Sequence, residues 1–311
     1  MIQISIIIPV RNQKNSLLIA LNSLKRQIKN ARVFEIIICD DGSTDGTEQM
    51  VKRLRYPIFF KYFKNDPPLG RSANRNAGFK KSVGKDIIFF DGDMVPADGY
   101  LEAILGSADN LSARVGIVKP SPDTKTKRLD NYLYSRGRYA CIGESQTVPS
   151  RYFTSNNFCI GREIFEKISG FDEAFKGWGG EDIDFGLNLE ANGILVKNVS
   201  GAVTYHHHQR TLESLIEDFR DFGANSFHYL ITKHPDFLKQ IPGHLLGLAG
   251  HYSPAQRILK AFSFIAINGQ VLKIAAKIVS KFENVNWPDY IFDYILWGNL
   301  AYAYKKRVMK K

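Results

Sequence analysis

The chain has 311 residues, with 42 Lys and Arg against 31 Asp and Glu, a formal net charge of +11, and three cysteines. That length can bury a large core, so a disulfide-stapled mini-domain is excluded. Cys39, Cys141 and Cys159 form a sparse, odd set and predict reduced core thiols in a reducing compartment. No window of about eighteen apolar residues occurs, and no basic, apolar leader precedes the first strand-like run, so the expectation is a cytoplasmic chain without a membrane span. The charge is uneven. Residues 251–311 hold ten Lys and Arg and three Asp and Glu, which is +7 of the +11. No nucleic-acid recognition motif accompanies it, so no nucleic-acid partner is expected.

In chain order, Ile4–Val10 is a β-branched apolar run of the buried parallel-strand kind. Leu17, Leu18, Leu21 and Leu24 then recur at helical spacing. Residues 34–39 predict a second buried strand, ending in Asp40-Asp41-Gly42-Ser43. Asp45 and Glu48 have the spacing of a capping box that opens a helix through Met50, Val51 and Leu54. A third strand is expected near 58–63, a helix over 70–81, and a fourth strand, Ile87-Ile88-Phe89-Phe90, running into Asp91-Gly92-Asp93. Further on, residues 152–159 predict a strand whose Ser155-Asn156-Asn157 centre faces an acceptor, and residues 160–170 predict a helix. Residues 120–150 lack periodicity and are expected to form an acceptor-side loop. Residues 182–190 predict a helix, and 202–205 the end of a strand before His206-His207-His208. Strands alternating with helices predict an α/β fold with a mainly parallel, doubly wound sheet and helices on both faces. Ligands of such sheets bind beyond the carboxyl ends of the strands, where the polar groups after Val10, Cys39 and Phe90 all lie.

Asp91 and Asp93 offer hard oxygen ligands suited to Mg²⁺ or Mn²⁺, with Gly92 expected to let the chain bend so that both can share an ion. Arg71 and Arg75, four residues apart, share a helix face and suit a diphosphate. Glu181 and Asp182 begin a helix, where its dipole favours their charged forms. His206 and His208 point to one face of a strand end and His207 to the other.

The segments ISIIIPVRN, DDGSTDGT, GRSANRNAG and FFDGDMVP resemble the inverting family-2 glycosyltransferases of the GT-A (nucleotide-diphospho-sugar transferase) fold. One departure is that Asn12 follows Arg11 where the family has an acidic residue. Gly177-Trp178-Gly179-Gly180-Glu181-Asp182 is similar to the corresponding segment of galactosyl- and N-acetylgalactosaminyl-transferases and chondroitin-type polymerases. The resemblance implies a GT-A domain over 1–235, with a nucleotide-sugar half at 1–110 and an acceptor half at 111–235. A basic, aromatic-rich helical region is expected at 236–311.

It also implies metal-dependent inverting transfer from a UDP-sugar to a hydroxyl of a saccharide or lipid-linked acceptor in polysaccharide synthesis. Asp93 would ligate the metal directly, and Asp91 would touch the ribose or bind the ion through water. His206 or His208, with His206 preferred, would complete the shell. Pro9 and Arg11 would form one wall of the base pocket, and Asp40 and Asp41 would accept from the uracil imide. Arg71, Arg75, Asn76 and Gly92 would line the nucleotide-sugar site. Asp182 would be the base, Glu181 its support, and Trp178, on a glycine-rich lid, would stack on sugar. A nucleotidyltransferase is the alternative enzyme class, though Arg11-Asn12-Gln13-Lys14 lacks the glycine of a triphosphate loop. A non-catalytic nucleotide-sugar-binding or membrane-scaffold subunit is the alternative outside enzymes. The basic, aromatic C-terminal region is expected at an anionic membrane, at the inner face of the cell membrane.

Overall fold

The computed structural model describes residues 2–30, 32–55, 59–106, 111–123, 125–134, 147–207, 210–241 and 267–309. Expectations about Cys141, His208, the 242–266 and 310–311 parts of the expected helical region, and the 135–146 part of the aperiodic stretch fall outside them. The chain divides into two compact units. The first comprises Met1–Lys125, Tyr134–Ala174 and Glu181–His208, and the second Thr126–Leu133, Phe175–Gly180 and Gln209–Lys311.

The first unit is built on an eight-stranded sheet of order β3-β2-β1-β4-β7-β6-β8-β5. Its strands are β1 (Ile4–Val10), β2 (Phe34–Asp40), β3 (Phe59–Lys64), β4 (Asp86–Phe90), β5 (Met94–Pro96), β6 (Ser112–Pro120), β7 (Asn157–Gly161) and β8 (Leu195–His206). β1 to β4 pair in parallel, as the apolar runs predict. β7 then enters antiparallel between β4 and β6, and β5 pairs antiparallel with β8, so the sheet is mixed beyond its N-terminal half. Strand alternation splits the core between two faces. Ile6, Ile8 and Val10 join Leu17, Leu21 and Leu24 of helix α1 (Lys14–Gln27) on one side. Ile7 and Ile37 join Phe165 and Phe185 on the other. Helix α3 (Arg71–Lys80) lies on this second side so closely that a Cβ at Gly78 would stand 2.5 Å from both Cys39 and Ile7. Cys39 and Cys159 are free and buried. Burial pushes both thiols up, Cys159 to about 12.

Several local expectations are corrected. Helix α2 (Thr47–Arg53) begins after Gly46, not at Asp45. Asp45 instead accepts from the backbone N–H groups of Lys14 and Thr47, while Glu48 pairs with Lys52 rather than reaching back. A short α4 (Tyr100–Gly106) precedes β6, and α5 (Arg128–Tyr134) forms inside the stretch read as irregular. The strand expected at 152–159 lies at β7, and the helix after it is only α6 (Arg162–Lys167). Pairing with β4 and β6 decides that shift, which local propensity could not show. α7 (Glu181–Ala191) starts one residue before its expected position.

Asn157, the first residue of β7 and one of the three residues expected to face an acceptor, has a structural task instead. Asn157 accepts from Tyr100 Oη at 2.7 Å and donates to Thr204 Oγ1 at 3.0 Å. The knot sits where the β6–β8 register slips, from Gly116 opposite Val199 to Ile117 opposite Val203. A Cβ on Gly116 would meet the Ala202 carbonyl oxygen and the Asn157 amide at 2.4 Å each. That slip sets where Thr204, Tyr205 and His206 fall.

The second unit is helical: α8 (Leu212–Ala224), α9 (Phe227–Lys233), α10 (Phe237–Gln240), α11 (Gly269–Lys281) and α12 (Asp289–Val308). Thr211 and Ser214 exchange side-chain and backbone hydrogen bonds and so cap α8. Its core includes Leu212, Leu215, Ile216, Val279, Phe292 and Ile295. No helix of the described residues is long and apolar enough to cross a membrane.

Candidate active site

The ends of β4, β5 and β8, with the starts of α3 and α7, bring an ionic cluster together in the first unit. Arg75, only 4% exposed, donates from Nη2 to Asp91 Oδ1 at 3.0 Å, and its guanidinium lies 5.5 Å from the Phe171 ring centroid. Its Nε and Nη1 are buried with no protein partner, which leaves two donor nitrogens for an anionic ligand. Burial works to lower the Arg75 pKa, but the carboxylates of Asp91, Asp182 and Glu181 raise it above the ordinary value. Burial, then Asp93 and Asp182, hold Asp91 above the usual carboxylate range against the pull of Arg75. Glu181, 5% exposed, is pushed up to about 7 by burial first and Asp182 second, with Arg75 and Arg71 opposing. Asp182 Oδ1 is buried with no hydrogen-bond partner. Asp184 is fully buried and accepts from Asn188 one turn on, a bond internal to α7. Arg71 and Arg75 thus act on the same carboxylate, but Arg71 is exposed and Arg75 buried.

Asp93 and His206 meet through the β5–β8 pairing, in which Met94 stands opposite His206. His206 Nε2 lies 3.4 Å from Asp93 Oδ2, and the backbone N–H of His207 donates to the Asp93 carbonyl. On the far side of the ring, His206 Nδ1 shares a 2.7 Å hydrogen bond with Tyr134 Oη. Among the described residues no group of three or more His, Cys, Asp and Glu is gathered as a metal cage. A carboxylate facing an imidazole nitrogen nonetheless fits a Mn²⁺ or Mg²⁺ whose remaining ligands are substrate phosphates and water. Gly92 serves by its size rather than by its conformational freedom. Its φ is not positive, and a Cβ there would lie 2.7 Å from Val10 Cγ1.

At the other strand ends the acidic pair holds loops in place. Asp40 Oδ1 accepts from the Ser43 N–H and Oδ2 from Tyr62 Oη. Asp41 accepts from the N–H groups of Leu69 and Gly70, at 2.7 and 3.0 Å. Asn12, at a φ of 54°, receives the Thr44 N–H on its side chain and donates its own N–H to Ser43 Oγ. It ties the loops after β1 and β2, with Pro9 half-buried and Arg11 exposed beside it. Asn76 clamps the backbone of Phe171, donating to its carbonyl and accepting its N–H, and also donates to Glu173. Its amide is therefore engaged within the fold, not with the nucleotide side as expected.

Trp178 belongs to the second unit, where its N–H donates to Asp221 Oδ2 and its ring centroid lies 5.7 Å from that of Phe219. Gly177, Gly179 and Gly180 all hold φ between 82° and 97°. A Cβ at Gly177 would strike Asp221, and at these φ values glycine is the residue the backbone favours. Tyr134 was invisible to sequence reasoning. It lies in the stretch without periodicity, 72 residues from its partner.

A half-sheet of parallel strands whose carboxyl ends gather carboxylates, a histidine and a buried arginine has the architecture of the GT-A fold. The Glycosyl transferase family 2 profile matches residues 5–171, more than half of the chain, and the chain belongs to that family. A second profile, the N-terminal domain of galactosyltransferase, matches residues 145–211. Chondroitin synthase of Pasteurella multocida (strain Pm70) is 28% identical over 243 residues, which are 66% of this chain and 25% of that protein. The chain thus spans a quarter of that relative's length. Among solved structures, the mannosyltransferase PcManGT from Pyrobaculum calidifontis, in complex with GDP-Man and Mn²⁺, superposes with a TM-score of 0.62 at 16% identity, covering 99% of this chain and 88% of that one. TarS 1-349 of S. aureus in complex with UDP gives 0.56 at 18%, covering 100% and 92%. These likenesses show the fold.

Proposed function

We propose that this glycosyltransferase is metal-dependent and inverting, and moves a sugar from a UDP-sugar to a hydroxyl of a saccharide or lipid-linked acceptor. The observation that carries this reading is the meeting of Asp93 and His206 across β5 and β8 within the unit that holds the Arg75–Asp91–Asp182 cluster. Asp93 and His206 would hold Mn²⁺ or Mg²⁺, which would supply positive charge against the leaving diphosphate. Arg75 offers it two unused donors, and Arg71 adds exposed charge. Pro9, Arg11, Asp40 and Asp41 build the base pocket. Asp182, whose Oδ1 is unengaged, takes the acceptor proton as the new C–O bond forms and the sugar–diphosphate bond breaks. Tyr134 orients His206, as outer-shell partners of metal-binding histidines do.

One observation favours a second assignment of the base. Glu181, pushed up to about 7, has the pKa that proton transfer near neutrality prefers. In this reading residues 1–110 form the donor half, 111–235 the acceptor half, and the basic, aromatic region at 236–311 attaches the enzyme to an anionic membrane beside a lipid-linked acceptor. The decisive experiment measures UDP release from a panel of UDP-sugars with Mn²⁺ or Mg²⁺ and oligosaccharide acceptors. Metal-dependent release with one donor is expected, and no release under any combination refutes the reading.

A further inference from the structure

Helix α11 carries two apolar faces. Leu272, Ala276 and Val279 are buried in the second unit. Val271, Ile274, Ile278 and Phe282 are between 41% and 58% exposed. Spacings of three, four and four residues set these four in a single stripe along the helix. Lys273, Lys277 and Lys281, each four apart and exposed, form a parallel row beside it. Val285, just past the helix, is 47% exposed as well. At the N-terminal end of the same helix a groove of about 1050 Å³ is lined by Arg220, Asn268, Gln270, Lys306 and Arg307, among others. An exposed row of large aliphatic side chains is unusual on a soluble helix, and here every charge beside it along the helix is positive.

From this pairing we infer that the exposed face of α11 is the membrane-docking surface of the chain, an inference that rests on the membrane-attachment reading given above. Its partner is an anionic lipid bilayer. The aliphatic stripe enters the headgroup–acyl boundary, the lysine row meets lipid phosphates, and the three cations of the groove add charge at the helix start. The large aromatics expected at the interface divide differently. Trp297 packs edge-on against Phe219, and Trp287 donates to the Phe282 carbonyl while packing on the core of the unit. Tyr290, by contrast, is 67% exposed.

The test uses the full chain and sucrose-loaded vesicles of phosphatidylcholine with or without phosphatidylglycerol. Binding only to the anionic vesicles, weakened by salt, is expected. Ile274→Glu/Ile278→Glu should lower the partition by at least about tenfold. Lys273→Gln/Lys277→Gln should lower it about 25-fold, since each lysine near such a surface contributes about fivefold. UDP binding and the helical circular-dichroism melting curve should be unchanged in both variants, which shows that both units fold. In a Cys141→Ser background, an environment-sensitive fluorophore on Ile278→Cys should brighten when anionic vesicles are added, since Cys39 and Cys159 are buried and do not compete. Failure of the unaltered chain to bind overturns both the attachment and the face. Binding that survives both double variants overturns the face alone. A fluorophore already shielded without vesicles, or a dimer dispersed by Ile274→Glu/Ile278→Glu, would mean that this chain or a second copy covers the stripe, and would overturn the inference too.

Discussion

Glu181 is the residue where site chemistry and stability oppose each other. Folding raises its carboxyl from 4.5 to about 7, so the folded chain holds that proton more tightly than the unfolded chain does. The stabilisation is fully present below pH 4.5 and is lost as the pH rises through 7. Glu181→Gln, which cannot ionise, should therefore gain up to about 3 kcal/mol over the unaltered chain at pH 8 and almost nothing at pH 4. Urea unfolding at the two pH values checks it, and an equal gain at both would refute the burial argument. Asp93→Asn should abolish Mn²⁺-dependent UDP binding, because a neutral amide is a poor ligand for a hard cation. Asp182→Asn should leave that binding intact and lower turnover by roughly 10²-fold. If Glu181 is the base instead, Glu181→Gln takes the larger loss of turnover. Tyr134→Phe removes the hydroxyl that meets His206 Nδ1 and should weaken Mn²⁺ binding by about 10- to 100-fold, read from the free-ion paramagnetic resonance signal.

Among the elements, the β6–β8 slip carries the most consequence, because it fixes where His206 falls. Gly116→Ala would drive a methyl into the Ala202 carbonyl and the Asn157 amide, and should cost about 1–3 kcal/mol. It should also weaken Mn²⁺ binding, whereas a change that only loosened the core would leave metal affinity alone. Titrating both properties on the one variant separates the two. The parallel half-sheet was legible in the sequence because β1, β2 and β4 are continuous apolar runs between turn residues. β7 and the slip were not, since their positions depend on partners far away in the chain, such as Phe90 opposite Asn157. The same contrast holds in the site. Asp91, Asp93, Glu181 and Asp182 stand out by clustering, whereas the resemblance put Asn76 at the nucleotide and nothing local reveals its bond to Phe171, 95 residues on. Tyr134 gave no signal at all.

For the molecule as a whole, ligand binding and stability are linked by mass action. UDP with Mn²⁺ at a hundred times its Kd should stabilise the folded chain by about 2.7 kcal/mol, seen as a rise in melting temperature. A chelator should remove the part due to metal, and Asp93→Asn should show no Mn²⁺-dependent rise. The meeting of Asp93 and His206 also bears on how such a chain can change over time. They are 113 residues apart, yet sheet pairing alone makes them neighbours. The loops between the intervening strands can therefore lengthen, shorten or be exchanged without separating Asp93 from His206, provided β5, β6 and β8 keep their register. Loops grafted at those connections would then vary what surrounds the site while the two side chains stay together.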